Sequence, residues 1–132
     1  MNYHSTSSKV RQEIAYKDTL SEDTAKSLLQ DNDTSVLENI LRSRSISSII
    51  TDEDIDRIIS IGNLECIENI LSNLSNYELV SQENTFHKLL ELNNLDLTIA
   101  VADNYDTPKK ILNQLTKHSD PDIAVKAKAN LE

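Results

Sequence analysis

An all-α fold is predicted by three features of this sequence: a recurring phrase, a scarcity of glycine and proline, and apolar residues at helical spacing. A phrase of nine residues occurs four times, and its copies begin 30, 31 and 26 positions apart. Repeats of roughly 20 to 50 residues are typical of solenoids. We therefore expect an α–α superhelix of about four antiparallel helix pairs. The copies occupy residues 33–41, 63–71, 94–102 and 120–128.

Composition favours helices over strands. The chain of 132 residues contains one glycine and two prolines. All-β folds and βα units need frequent turns, which depend on these two residue types. Helices joined by corners of Asn, Asp and Ser do not need them. A chain of this length has room for one domain.

The expected organisation is one helical-repeat domain over residues 9–132, preceded by a polar, disordered segment at 1–8. Its repeat units are predicted at about 18–46, 47–76, 77–105 and 106–130. Each unit should hold a helix A, a corner and a helix B. The predicted helices are 9–17, 21–30, 34–44, 52–61, 64–74, 82–92, 95–103, 108–117 and 121–130.

Several residues are suited to begin or end these helices. Ser21 and Thr51 can accept hydrogen bonds from backbone N–H groups in a first helical turn. Gly62 is placed to adopt the left-handed conformation that ends a helix. Thr107-Pro108 and Asp120-Pro121 each fit an N-cap followed by proline at the first helical position.

Helix B of the first two pairs should present one apolar face to the core. At about 100° per residue its apolar side chains fall within about 140° of arc. The lone cysteine belongs to this face, so we expect a core residue rather than a disulfide or a thiolate metal site. These side chains are Val36, Leu37, Ile40 and Leu41, then Cys66, Ile67, Ile70 and Leu71.

The net charge of −9 is unevenly distributed. Residues 18–106 carry −13, whereas 1–17 and 107–132 each carry +2. Such a field repels phosphate backbones and favours cationic partners, so nucleic acid is not an expected partner. The alternative is that the acidic charge serves only to keep the chain in solution.

No catalytic, metal or cofactor site is predicted. Glu83, His87 and Glu91 share a helical face and could hold a metal, but a solvated face is the commoner arrangement. The cluster Asp52-Glu53-Asp54 lies at a predicted helix N-terminus, where acids favour the helix dipole. We expect a non-enzymatic protein.

The expected location is the cytoplasm. No signal peptide is visible, and no apolar run approaches the roughly 20 residues of a membrane span. Whether the final Leu131-Glu132 is native or a cloning remnant stays open.

The C-terminal part of the chain resembles a known repeat family. Ala100-Val-Ala-Asp-Asn-Tyr-Asp-Thr-Pro108 is followed by Ile111-Leu112, Leu115 and Asp120-Pro-Asp-Ile123. Over about 95–130 this pattern resembles the leucine-rich variant repeat, which is akin to HEAT repeats. The resemblance implies a HEAT-like α-solenoid whose inner helices line a concave protein-binding face, with no enzymatic activity. Residues 21–94 lack the Thr-Pro and the Ala-Val-Ala run.

The outward faces of the B helices form the candidate partner-binding surface. The first two pairs supply acids, and the last two place Ile99 and Val125 where exposure is expected. An acidic and apolar groove suits a basic amphipathic helix or peptide. Alternatively, the acids are merely solvated, and a terminal cap or a second copy of the chain covers Ile99 and Val125. The candidate residues are Glu38, Arg42, Glu65, Glu68, Asp96, Ile99, Asp103 and Val125.

The sequence thus predicts a protein–protein interaction module that binds a basic protein or peptide, with self-association through a terminal repeat as a further option. The alternative is an immunity- or inhibitor-type protein that directs its acidic surface against a basic toxin or nucleic-acid enzyme. Loss of affinity at high salt would be expected for that alternative. A helical-repeat DNA glycosylase would need a basic groove, which this sequence lacks.

Overall fold

A computed structural model describes residues 7–17 and 19–132, and over these residues the predicted all-α class is confirmed, with no strand. The chain forms two compact units, one ending at Val80 and the other spanning Ser81–Glu132. The first unit contains α1 (Ser8–Ala15), α2 (Glu22–Leu29), α3 (Thr34–Ile40), α4 (Asp52–Ile61) and α5 (Leu64–Asn73). The second contains α6 (Gln82–Glu91), α7 (Leu95–Asp103), α8 (Lys109–Leu115) and α9 (Pro121–Leu131).

The boundary after Val80 falls inside the third predicted repeat unit, 77–105. Of the N-terminal segment predicted to be disordered, only Ser7 and Ser8 belong to the described residues. Ser7 caps α1, and its hydroxyl accepts a hydrogen bond from the Val10 amide. None of the helices in the described ranges is long and apolar enough to span a membrane.

Each copy of the repeated phrase begins with the residue that caps helix B. A short polar side chain at this position accepts a bond from a free amide of the first turn. The predicted start of each B helix follows from this cap. The four caps are Asp33, Asn63, Asn94 and Asp120, which accept from the amides of Ser35, Cys66, Leu97 and Asp122.

Other caps agree with the sequence in part. The Ser21 hydroxyl accepts from the Thr24 amide, and Thr51 forms a reciprocal capping box with Asp54. At α8 the prediction is wrong, because Pro108 is the cap rather than the first helical residue. The Thr107 hydroxyl instead donates to the Val101 carbonyl oxygen at 2.7 Å.

Six of the helices in the described residues end before the predicted residue, and the difference is largest at α3. Helix α3 ends at Ile40 rather than at residue 44, and a short 3-10 turn, Arg44–Ile46, follows. Ser43 causes this break, because its hydroxyl accepts from the Ser45 amide at 3.1 Å and so competes with continued helix. A second 3-10 turn, Leu74–Asn76, follows α5.

In the first unit, helix α3 packs against both α1 and α5. Helix α2 packs against α3, and α4 packs against α5. The predicted apolar faces of α3 and α5 are confirmed, since all eight of their side chains are buried. Two asparagines at the same position of the phrase form equivalent links between helices. Asn39 donates to the Gln12 carbonyl of α1 at 3.1 Å, and Asn69 donates to the Glu38 carbonyl of α3 at 3.3 Å.

Charged side chains fix the outer helices of this unit. Arg11 of α1 pairs with Asp31, with Nε 2.6 Å from Oδ2. Arg57 of α4 donates to the carbonyl oxygens of Leu29 and Asp31 at the end of α2. The two bonds from Arg57 satisfy backbone carbonyls that the end of α2 leaves without a helical partner.

In the second unit, α7 packs against α6 and α9, and α8 packs against α6 and α9. Phe86, Leu89, Val101 and Ile123 are buried between these helices. Asn130 links α9 to the end of α7, since its side-chain amide donates to the carbonyl oxygens of Ala102 at 3.0 Å and of Asn104 at 2.7 Å.

Candidate functional site

The first unit brings two of the predicted partner-binding acids together. Glu38 lies on α3 and Glu65 on α5, and their carboxyl groups are within hydrogen-bonding reach of each other. The Asn69 link to the Glu38 carbonyl holds these two helices side by side. The sequence placed both acids on outward faces but did not predict this contact.

Burial and the proximity of Glu65 change the pKa of the Glu38 carboxyl. Partial burial raises the pKa of its carboxyl, and the hydrogen bond to Glu65 and the charge of Glu65 raise the pKa further. The charge of Arg42 acts in the opposite direction. When protonated, Glu38 can donate a hydrogen bond to Glu65, which removes the repulsion between two neighbouring carboxylates.

The remaining acid of this surface, Glu68, is exposed on α5. Across residues 7–17 and 19–132, neither Glu38, Glu65 nor Glu68 forms an ion pair with a basic side chain. We refer to Glu38, Glu65 and Glu68 as the acidic face. Residues 1–80 contain seven Lys or Arg and fourteen Asp or Glu, which gives a net charge of −7.

Arg42 lies beyond the last residue of α3 because that helix ends early. Its guanidinium folds back onto the helix, where Nε donates to the Glu38 carbonyl at 3.1 Å and Nη2 to Asn39 Oδ1 at 3.0 Å. The side chain remains exposed. Arg42 therefore belongs to the end of α3 and not to the acidic face.

Cys66 lies beneath the acidic face and is fully buried, in agreement with the core position predicted for it. Its Sγ donates to the Thr34 carbonyl at 3.6 Å. Burial, and then the charges of Glu38 and Glu65, raise the pKa of the thiol to about 11. The group stays protonated at neutral pH and is a poor nucleophile.

The other four candidate residues belong to the second unit. Asp96, Asp103 and Val125 are exposed, with Val125 at 63 % exposure, whereas Ile99 is half-buried. Asp103 of α7 faces Lys126 of α9, with Oδ2 and Nζ 3.9 Å apart. In this unit the structure thus provides an apolar side chain on α9 beside a weak charge pair.

A groove in the second unit was missed by the sequence analysis. It encloses about 360 Å³ between α6, α7, α8 and α9. Leu95, at 54 % exposure, forms part of its wall. Helical phase alone does not reveal this groove, because its walls come from the ends of several helices. Its lining residues are Leu90, Asn93, Leu95, Thr98, Leu115, His118 and Ile123.

The structure gives Glu83 a partner other than a metal ion. Its Oε1 lies 3.0 Å from Lys110 Nζ and 3.8 Å from His87 Nε2. The Lys110 ammonium is the main reason that the pKa of Glu83 is lowered. Within the described part of the chain, no three His, Cys, Asp or Glu side chains converge as metal ligands would.

The eight candidate residues therefore fall into two groups of four, one in each unit, and a single surface formed by all eight stays a prediction. No protein-family model, no curated protein and no solved structure matches this chain. The resemblance of residues 95–130 to the leucine-rich variant repeat accordingly stays a prediction made from the residues themselves.

Proposed function

We propose that this chain is a non-enzymatic protein-interaction module that binds a cationic segment of a partner protein through the acidic face. The observation that carries this proposal is the placement of Glu38 and Glu65 on the packed helices α3 and α5, near enough for Glu65 to add to the rise that burial causes in the pKa of Glu38. Two carboxyl groups meet on neighbouring helices, and no basic side chain of the described residues forms an ion pair with either. A cation supplied by another molecule would complete this arrangement.

The physical argument rests on the repulsion within the pair. Free in solution, the protein relieves the repulsion by keeping Glu38 protonated to a higher pH than usual. An arginine or lysine of the partner would stabilise the ionised pair, and a guanidinium can contact both carboxylates at once. Binding should then release a proton, so affinity should fall as the pH is lowered through the pKa of Glu38.

We also propose that the fold is a HEAT-like solenoid, in which B helices stack along one side. In support, α3 packs against α1 and α5 in the first unit, and α7 packs against α9 in the second. The bond from Asn39 to α1 and the bond from Asn69 to α3 join neighbouring helices in an equivalent way. Repeats of this kind present extended surfaces suited to binding proteins or peptides.

An apolar contribution from the second unit belongs to the same proposal. Val125 is exposed on α9 and Ile99 is partly exposed on α7. A basic amphipathic helix carries apolar side chains as well as charges, so an apolar part of the partner could contact Val125 and Ile99 within the second unit. Val125→Asp tests this contribution separately from the acidic face.

The proposal is tested with a double charge reversal, Glu38→Lys/Glu68→Lys. Proteins retained by the wild-type chain from an extract of its source cells are identified by mass spectrometry, and the affinity of a purified candidate is then measured. We expect the double variant to weaken binding at least tenfold, about 1.4 kcal/mol. The matched control is Glu53→Lys/Glu78→Lys, which makes the same charge change at two exposed positions outside the acidic face.

The control should weaken the same complex less than threefold if binding is local to the acidic face. Equal losses for both double variants would indicate only general electrostatic attraction. An unchanged affinity in Glu38→Lys/Glu68→Lys would exclude the acidic face as the binding surface.

A further inference from the structure

A polar cavity of about 630 Å³ opens in the first unit where α1 and α3 end. Three of its lining residues, Lys17, Arg42 and Arg44, are basic and exposed. A second cavity of about 510 Å³ shares Arg42, Ser43 and Arg44 with it. We call the first of these the basic cavity. It is unexpected in a unit whose net charge is strongly negative.

Among the residues that the structure describes, these three cations, Lys17, Arg42 and Arg44, form no ion pair. The charge of Arg42 lowers the pKa of Glu38, but the two side chains form no ion pair. Asp18, between Lys17 and Thr19 in the sequence, is outside the described residues. Three cations that lack an ion-pair partner in the described ranges thus line one cavity, and one of them, Arg42, also donates to backbone and side-chain oxygens of α3.

Capping of helix C-termini does not account for Lys17 and Arg44. Basic residues often lie at such ends because they interact with free carbonyl groups. Here three of those carbonyls already accept other bonds: Gln12 from Asn39, Glu38 from Asn69 and Arg42, and Leu41 from the Tyr77 hydroxyl. The side chains of Lys17 and Arg44 donate no hydrogen bond within the described structure, and both are exposed and line the cavity.

We propose that the basic cavity binds the phosphate group of a phosphate monoester or of inorganic phosphate. Arginine and lysine are the side chains that contact phosphate oxygens most effectively, arginine through paired N–H donors. The Ser43 hydroxyl accepts from the Ser45 amide, which leaves its own proton free to donate to an anion. This site is separate from the acidic face and goes beyond the function proposed above.

A tyrosine at the rim of the basic cavity gives a reason for a phosphate monoester and inorganic phosphate to bind with different affinities. Tyr16 lines the cavity and is 73 % exposed. Its ring could stack on an aromatic group carried by the ester. An aromatic monoester should therefore bind more tightly than inorganic phosphate, whereas equal affinities would indicate recognition of the phosphate group alone.

The test is an NMR titration of the ¹⁵N-labelled chain at constant ionic strength, with inorganic phosphate, phenyl phosphate or sodium chloride. We expect saturable shifts at the amides of Tyr16, Lys17, Ser43 and Arg44 with both phosphates and none with chloride. Arg44→Gln and Lys17→Gln should each weaken binding at least fivefold. The control, Lys9→Gln, removes one exposed positive charge of α1 that does not line the cavity, and it should change the affinity less than twofold.

Shifts that do not saturate, or that chloride reproduces, would overturn the proposal. So would a loss in Lys9→Gln as large as the loss in Arg44→Gln. Failure of this test would leave the binding of a cationic partner at the acidic face unaffected, because none of its variants changes Glu38, Glu65 or Glu68.

Discussion

Glu38 contributes both to the packing of the first unit, through its carbonyl oxygen, and to the acidic face, through its carboxyl group. Its carbonyl oxygen accepts bonds from Asn69 and Arg42, and its carboxyl group meets Glu65. Helical phase predicted that Glu38 and Glu65 face outward. It did not predict their contact, because they occupy different positions of the repeated phrase, and only the offset between α3 and α5 brings them together.

The raised pKa of Glu38 predicts that Glu38→Gln stabilises the protein at neutral pH. A carboxyl whose pKa is raised on folding favours the folded state below its ordinary value of 4.5, and this contribution is lost as pH rises through the raised pKa. Glutamine does not ionise, so the stabilisation is not lost as pH rises, and its amide can still donate a hydrogen bond to Glu65. We expect a gain of about 0.5 kcal/mol at pH 7, given the partial exposure of the site, and little gain at pH 4.

Urea unfolding at the two pH values measures this gain. Glu78→Gln, which removes an exposed carboxylate outside the acidic face, serves as the control for the change in net charge. A gain in Glu38→Gln that is the same at pH 4 and pH 7, or that Glu78→Gln reproduces, would contradict the assigned repulsion.

The starts of helices were easier to predict than their ends. A helix start can be predicted from a short polar side chain, because that side chain accepts a hydrogen bond from a free amide within three residues. The examples here are Asp33, Asn63 and Asn94. The end of α3 depends on whether Ser43 bonds to its neighbour or allows the helix to continue, and composition does not decide this. Thr107 was misread because its buried hydroxyl reaches the Val101 carbonyl, a contact set by folding of the α7–α8 connection.

Gly62 and Asn93 make a matched pair at the A–B corners. Both follow an A helix and both have positive φ, 81° for Gly62 and 54° for Asn93. A Cβ added at Gly62 would meet no atom within 4 Å, so Gly62→Ala tests backbone strain without a packing clash. We expect this substitution to lower the free energy of unfolding by about 1 kcal/mol.

The reverse change, Asn93→Gly, should be neutral or slightly stabilising, because glycine adopts positive φ at no steric cost. Urea-unfolding midpoints of both variants provide the measurement. If Gly62→Ala left the midpoint unchanged, or if Asn93→Gly lowered it by as much as alanine lowers it at Gly62, the conformational explanation would fail.

At the scale of the whole molecule, the repeated phrase revealed the order of helices and the side chains that they bury. It did not reveal the basic cavity, because Lys17 and Arg44 are 27 positions apart and line the same cavity only through the packing of α1 against α3. Nor could the phrase separate the chain into its two units, since all four copies predict the same helix pair. Periodic burial is a local property of sequence, whereas convergence of polar side chains depends on the packing of whole elements.

The charge distribution of the molecule leads to a last prediction, that added salt stabilises the fold. The chain carries −9, of which −7 belongs to residues 1–80, so like charges repel more in the compact state than in the unfolded chain. Sodium chloride at about 0.5 M screens charges beyond a few ångströms. We expect the free energy of unfolding in urea to rise by on the order of 1 kcal/mol over its value at low salt.

The Glu53→Lys/Glu78→Lys variant, which lowers the negative charge by four, should gain less stability from the same salt. A loss of stability on adding salt would mean that attractive pairs such as Arg11 with Asp31 outweigh the repulsion, and it would remove the electrostatic reason for expecting a cationic partner.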